Sequence, residues 1–350
     1  MKKKHTGKRW KAVAALLMMV FTVTVFTGCG SSAKKDAGKD SSKAGSDELQ
    51  TVRVAAVSSD LSQWMGIVEE KTGIFKKHGI DLQITEFGVG VQAIDAVELN
   101  QCDIAGGVAD YGFINRIGNT ADKSTLRIVG QYSAGAQLGL YVNPEKIKSG
   151  EDLKGASLAT IQGSVYDYWN SQALKHFGLK DGDAELASVT SFAEALALAQ
   201  NGSADAWWIS GADKAKFEKL GWTELVGLDE VGSAVYTFFV TTKEFADNNE
   251  DLIGEYLKAV QETLDYTNEN MDEVAGFVYD SIGLEKDTFK ATVELTGYKV
   301  MFQQELTDDL DSINTWCLSN GNYTAKFNAA DYIDITSLKK VYPDSVTYTG

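Results

Sequence analysis

Apolar and polar positions change period repeatedly along this chain, and the changes divide it into short strands and helices. Residues 51–58 (TVRVAAVS) alternate and then turn apolar, which predicts a buried strand. Residues 81–87 (DLQITEF) alternate with period two, the pattern of a half-buried strand. Between them, 64–78 has helical spacing and should end near Gly79. Further strands are predicted at 103–107, 126–132, 137–142, 156–160, 204–209 and 235–241. Helical spacing marks 91–99, 110–119, 164–177 and 193–200, and most of 249–320. Gly178 suits a helix C-cap, and Ser191 with Glu194 a capping box. Strands alternating with helices across glycine-marked turns predict an α/β fold with mainly parallel sheets. No internal repeat is visible in the sequence.

The first fifty residues follow a different rule. Six basic residues and no acid lie in 1–28, and 12–27 is a sixteen-residue run without a charge. A membrane span needs about 20 residues, so a basic head with this shorter run reads as a secretory signal. Its end, Phe26-Thr27-Gly28-Cys29, resembles the lipobox of bacterial lipoproteins, which implies lipidation of Cys29 and loss of 1–28. Residues 29–50 then form a tether of Gly, Ser, Ala, Lys and Asp, too polar to bury a core. The expected location is the extracytoplasmic face of the cell membrane, held by the N-terminal lipid.

Charge narrows the partners. The chain of 350 residues has a formal charge of −16. Without the six basic residues of the signal, 27 basic residues face 49 acidic ones, a formal −22. Such a surface repels phosphate backbones, so no nucleic-acid partner is expected. Three cysteines and three histidines leave little for a metal cluster or a Cys/His catalytic centre, and no metal and no cofactor are expected. His78 and His176 precede glycines at predicted helix ends and read as caps. Cys102 and Cys317 read as buried thiols, with a disulfide between them left open.

Two strand-to-helix turns carry candidate chemistry. Gly88-Val89-Gly90-Val91-Gln92-Ala93 fits a dinucleotide fingerprint, yet it follows the second strand, whereas that fingerprint belongs to the first turn of its fold. The geometry still lets a small ligand approach backbone N–H groups at a helix start. Gly163-Ser164-Val165-Tyr166 repeats it, with Ser164 as a helix cap or as an added O–H donor. Asp60 and Asp110 each follow a predicted strand, where each can cap a helix or pair with a ligand amine. The three arginines after the signal, Arg53, Arg116 and Arg127, fall in no predicted pocket loop, which argues against an Arg clamp on an α-carboxylate.

From 51 to about 270 the chain resembles the periplasmic substrate-binding proteins of nitrate/taurine/aliphatic-sulfonate-type ABC importers. The residues that carry this are Gly73-Ile74-Phe75 to Leu82, Glu86-Phe87-Gly88-Val89-Gly90, Cys102-Asp103-Ile104-Ala105-Gly106-Gly107, Asp152-Leu153-Lys154-Gly155 with Gln162-Gly163-Ser164, and Asn201-Gly202 to Trp207. After Trp207 the family usually continues to an aromatic–acid–Pro run, where this chain reads Trp208-Ile209-Ser210. The resemblance implies a two-lobed periplasmic-binding-protein type II fold with a ligand cleft and two hinge strands. Lobe one would hold 51–136 and about 236–350, and lobe two about 137–235. Ligand would be contacted by Ser59, Asp60, Gln63, Trp64, Gly88, Gln92, Val108, Ala109, Asp110, Gln137, Ser164, Tyr166, Trp207 and Tyr236. The implied partners are a small-molecule ligand and an ABC permease.

Two ligand classes stay open: a small sulfonate such as taurine, and an aromatic heterocycle such as a vitamin precursor. The second would stack on Trp64, Tyr111, Tyr132, Tyr166, Trp207 or Tyr236. The expected protein is no enzyme. The alternatives are a pyrimidine-synthase-like enzyme of the same fold and a membrane-tethered ligand-sensing module.

Overall fold

The computed structural model describes residues 49–350, apart from 59, 121–122, 135–137 and 211–213. The signal, Cys29 and all but the last two residues of the tether lie outside the described residues, as do Ser59 and Gln137.

The chain opens on β1 (Gln50–Val57), α1 (Leu61–Thr72), the single turn α2 (Ile74–Lys77) and β2 (Ile80–Phe87). There follow α3 (Gly90–Glu98), β3 (Ile104–Ala109), α4 (Asp110–Thr120) and β4 (Leu126–Ala134). Val54, Ala55 and Ala56 of β1 are fully buried, as befits a strand parallel to β2 on one side and β3 on the other. The helix predicted over 64–78 is two helices. Asp60 starts α1 by accepting from the Ser62 N–H, and Gly73 stops it at φ +64°, a conformation that favours glycine.

A second sheet is built from β5 (Leu138–Val142), β6 (Ser157–Thr160), α5 (Val165–His176) and β7 (Glu185–Ser188). To these the chain adds α6 (Phe192–Asn201), β8 (Ala206–Ser210), α7 (Lys214–Glu218) and β9 (Thr223–Gly227). Ser191 caps α6, but the Glu194 carboxylate reaches Thr190 rather than completing a capping box on Ser191. The chain then returns on β10 (Tyr236–Thr242) to the first sheet. It ends in α8 (Lys243–Asn248), α9 (Glu250–Glu269), α10 (Met271–Ile282), α11 (Lys286–Thr296), α12 (Gln304–Ser319) and α13 (Thr336–Val341).

Strand order is β2-β1-β3-β10-β4 in one sheet and β7-β6-β8-β5-β9 in the other. The sheets, expected to be mainly parallel, each carry one reversed strand. β10 is antiparallel to β3 and β4, and β5 is antiparallel to β8 and β9. Each reversed strand is the one that has just crossed from the other sheet. β5 continues from β4 and starts opposite the last residue of β8, Leu138 against Ser210. The carboxyl ends of the parallel strands of both lobes thus meet at one junction, where ligands of open α/β sheets bind. Both sheets share one order once the crossing strand is set aside, a repeat of architecture that the sequence does not display. Cys102 and Cys317 are buried and unpaired.

Candidate functional site: a cleft between two sheets

Residues from both lobes line a cavity of about 440 Å³ at this junction. The first lobe supplies Gly90, Val91 and Ile94 of α3, the end of β3 at Gly107, Val108 and Ala109, and one face of α4. The second supplies Gly163, Ser164 and Val165 at the start of α5. Its walls are valine, isoleucine and Tyr111, with Asn115, Arg116 and Asn119 along α4. Gly163 is open on its Cβ side, whereas a Cβ on Gly90 would lie 2.8 Å from the Gly107 carbonyl oxygen. Gly90 therefore serves the close approach of α3 to β3, and Gly163 leaves room.

Three helices begin around the cavity, and two have their first amides engaged. The Asp110 carboxylate accepts from the Tyr111 N–H at the start of α4. Ser164 caps α5 by accepting from the Tyr166 N–H, and the Gly163 N–H donates to Asp167 at 2.7 Å. α3 has no side-chain cap, so its dipole and first amides form the anion-attracting end of the cavity.

Of the residues expected at a ligand, Val108, Ala109 and Ser164 line this cavity. Gly88 and Gln92 bond each other, the Gly88 N–H donating to Gln92 Oε1 at 3.1 Å. Asp60 lies deeper. Its Oδ2 accepts from the Ser62 amide (2.8 Å), the Ser62 hydroxyl (2.7 Å) and the Tyr132 hydroxyl (2.8 Å). Burial pushes the Asp60 carboxyl up, and the Ser62 and Tyr132 bonds partly offset it. Gln63 donates to Glu86 at 3.0 Å. Trp64 is 3% exposed and packs edge-on against Phe289 and Tyr298. Trp207, 2% exposed, is stacked on Tyr166 at 4.4 Å. Tyr236 is buried and donates its backbone N–H to Asp110 at 3.1 Å.

Arg116 lines the cavity from the face of α4, one and a half turns into the helix and so outside any loop. Its Nε donates to Glu98 at 2.8 Å, its Nη2 also reaches Glu98, and Nη2 lies 2.7 Å from Asp95. Helical spacing on α4 could have signalled it, because 112, 115, 116 and 119 share one face. Asp309 of α12 is buried beside Asp110. Neither histidine is among the residues lining the cavity. His78 lies between Glu255 (3.0 Å) and Glu262 (2.9 Å), and His176 packs edge-on against Phe177.

A second cavity, about 630 Å³, opens between β5, β8 and β9 and the helix α11. Its glycines are filled by the protein itself. A Cβ on Gly139 would meet Glu224 at 2.6 Å, and one on Gly227 would meet Asp229 at 2.6 Å. Glu224 is in turn bound to the Tyr141 hydroxyl at 3.0 Å and paired with Lys214 at 3.7 Å. The first cavity is the better candidate. Among the described residues, no group of three His, Cys, Asp or Glu side chains is arranged to hold a metal, and no helix is long and apolar enough to cross a membrane.

No curated protein matches the sequence. Solved structures do match the fold. The periplasmic aliphatic sulphonate-binding protein SsuA from Escherichia coli superposes with a TM-score of 0.70 at 19% identity, over 82% of this chain and 98% of that one. The periplasmic nitrate-binding protein NrtA from Synechocystis gives 0.60 at 13% identity, over 85% and 89%. DszB in complex with biphenyl-2-sulfinic acid gives 0.61 at 12% identity, over 83% and 99%. These likenesses give the two-lobed periplasmic-binding-protein fold. Residues 64–274, more than half of the chain, match the NMT1/THI5-like family model, and the chain belongs to that family.

Proposed function

We propose that this chain is the solute-binding lipoprotein of an ABC importer, anchored through Cys29 on the extracytoplasmic face of the cell membrane. Its lobes, 51–136 with about 236–350 and about 137–235, close on a small organic anion and present it to the permease. The observation that carries this reading is the cavity between the lobes, with apolar walls and the uncapped start of α3 at one end. An oxyanion head suits that end, and the valine walls suit an apolar body. The fold it shares with a sulphonate-binding and a nitrate-binding protein supports an oxyanion ligand.

The placement of the rings favours a sulfonate over a stacked heterocycle. Of the six aromatic candidates, Tyr111 alone lines the cavity. Trp64, Tyr132 and Trp207 are buried against other rings. The positions of His78 and His176 favour binding over catalysis, because neither reaches the cavity as a proton carrier.

Thermal-shift titration of the purified protein with propanesulfonate, taurine, nitrate and a hydroxymethylpyrimidine tests the reading. A sulfonate at a hundred times its Kd should add about 2.7 kcal/mol of stability. Gly112→Leu, which fills the cavity from α4, should cancel that shift. No response to any compound, or a response to the pyrimidine alone, would overturn the assignment. Cys29→Ser should abolish incorporation of a labelled fatty acid, and retention of label would remove the anchor.

A further inference from the structure

The cavity is longer than one anionic head requires. α3 and α4 both begin at the junction and run away from it together, since Arg116 of α4 meets Asp95 and Glu98 of α3. Arg116 lies six positions beyond Asp110, about 9 Å along the helix axis. Gly112, Asn115, Arg116 and Asn119 all line the cavity, so it continues as a groove along α4. Gly112 keeps the groove open, with the place of a missing Cβ 3.6 Å from Val91. Between the uncapped start of α3 and Arg116 the wall is Val91, Ile94 and Val108, with no charge.

The guanidinium at the far end is held but not saturated. Nε and Nη2 face the two carboxylates, and Nη1 is engaged by neither. The side chain is 27% exposed. Asp95 and Glu98 fix its plane before any ligand arrives, so little rotamer freedom is lost on binding. Two carboxylates outnumber one guanidinium, so attraction here is local and comes from directed N–H donors rather than from net charge.

We propose that Arg116 is a specificity residue that receives a second anionic group at the far end of the ligand. The substrate class is then a short saturated chain with an acid at each end, a sulfonate at α3 and a carboxylate or sulfonate at Arg116. This rests on the solute-binding reading of the cleft and adds the second charge to it.

The test is calorimetric titration of the wild type, Arg116→Met and Arg116→Lys with butanesulfonate and with its ω-carboxylated analogue, sulfobutanoate. The wild type should bind sulfobutanoate tighter by roughly tenfold or more, the range of a charged hydrogen bond. Arg116→Met leaves Asp95 and Glu98 unneutralised and so weakens both ligands, but it should bind them within about twofold of each other. Arg116→Lys keeps a cation for Asp95 and Glu98, so it guards against loss of fold, and it should retain part of the preference. A wild type that binds butanesulfonate without preferring the diacid, or a preference that survives in Arg116→Met, overturns the role of Arg116 alone. Binding of neither compound by the wild type overturns the reading of the cleft as well.

Discussion

Asp110 and Asp309 bring two carboxyl groups together where the lobes meet. Asp110, the first residue of α4, is 2% exposed and accepts from the Tyr111 and Tyr236 backbone N–H groups. Asp309 of α12 is buried beside it, and neither of its oxygens has a partner in hydrogen-bonding geometry. Burial pushes the Asp110 carboxyl up to about 6, and burial with the Asp110 charge pushes Asp309 well above the carboxylate range. Ser233 offsets this only in part at Asp309, Tyr168 is neutral, and Glu305 and Asp308 on α12 add negative charge near Tyr236. The pair therefore holds a proton in the folded protein that the unfolded chain releases near pH 3.9. Its contribution to stability is complete below about pH 4, falls as pH rises through about 6, where Asp110 ionises, and falls further above that, where Asp309 gives up its proton. Asp309→Asn replaces the repulsion with an amide that can donate to Asp110. Urea denaturation across this range should show the variant more stable than the wild type near neutral pH, with a flatter pH slope. A variant destabilised equally at every pH would show that no shared proton is involved.

At the scale of elements, the glycines of α3 and α4 have opposite duties. Gly90→Ala would place a Cβ 2.8 Å from a backbone oxygen, which cannot rotate away. It should cost about 1–3 kcal/mol by forcing α3 off β3. Gly112→Ala makes only ordinary contact and sits inside a helix, so it should gain up to about 1 kcal/mol. Chemical denaturation of both variants checks the contrast, and equal effects would refute it. The sequence shows part of this. It shows that glycines mark the starts of α3 and α5, because they stand between a strand pattern and a helix pattern. It does not show which glycine faces a neighbouring backbone and which faces space. β1 was legible because it is apolar on both faces. β7 (ELAS) and β9 (TELVG) went unread, because edge strands of four and five residues are too short to show a clear period. Val108, Ala109 and Ser164, expected where loops follow strands, line the cavity. Arg116 lies within a helix, where no change from strand to loop marks it. Trp64 and Trp207 are buried against other rings, and a ring that could stack on a ligand has the same letter as a ring that fills a core.

For the whole molecule, α12 is the element that ties the second lobe to the first away from the crossing strands. It packs along α4 and reaches α5 of the other lobe. The Trp316 indole N–H donates to the Ser171 hydroxyl at 2.9 Å, and its ring meets Tyr168 edge-on at 5.7 Å. Asn322, just beyond α12, donates to the Tyr111 hydroxyl at 3.0 Å, so the same region also braces a wall of the cavity. Two strands crossing between lobes permit rotation, and contacts such as these bias its equilibrium. Trp316→Ala removes a ring and a hydrogen bond that span the lobes while leaving every cavity-lining residue in place. The ligand-free variant should populate open arrangements more, seen as a larger radius of gyration in solution scattering. Its ligand affinity should fall in proportion to the lost closed fraction, severalfold for a shift of about 1 kcal/mol. Both readouts must move together, because a ligand that needs both lobes binds only the fraction that is closed. An affinity loss at unchanged radius would place Trp316 in support of the Tyr111 wall, and a larger radius at unchanged affinity would mean that the ligand is held by one lobe alone.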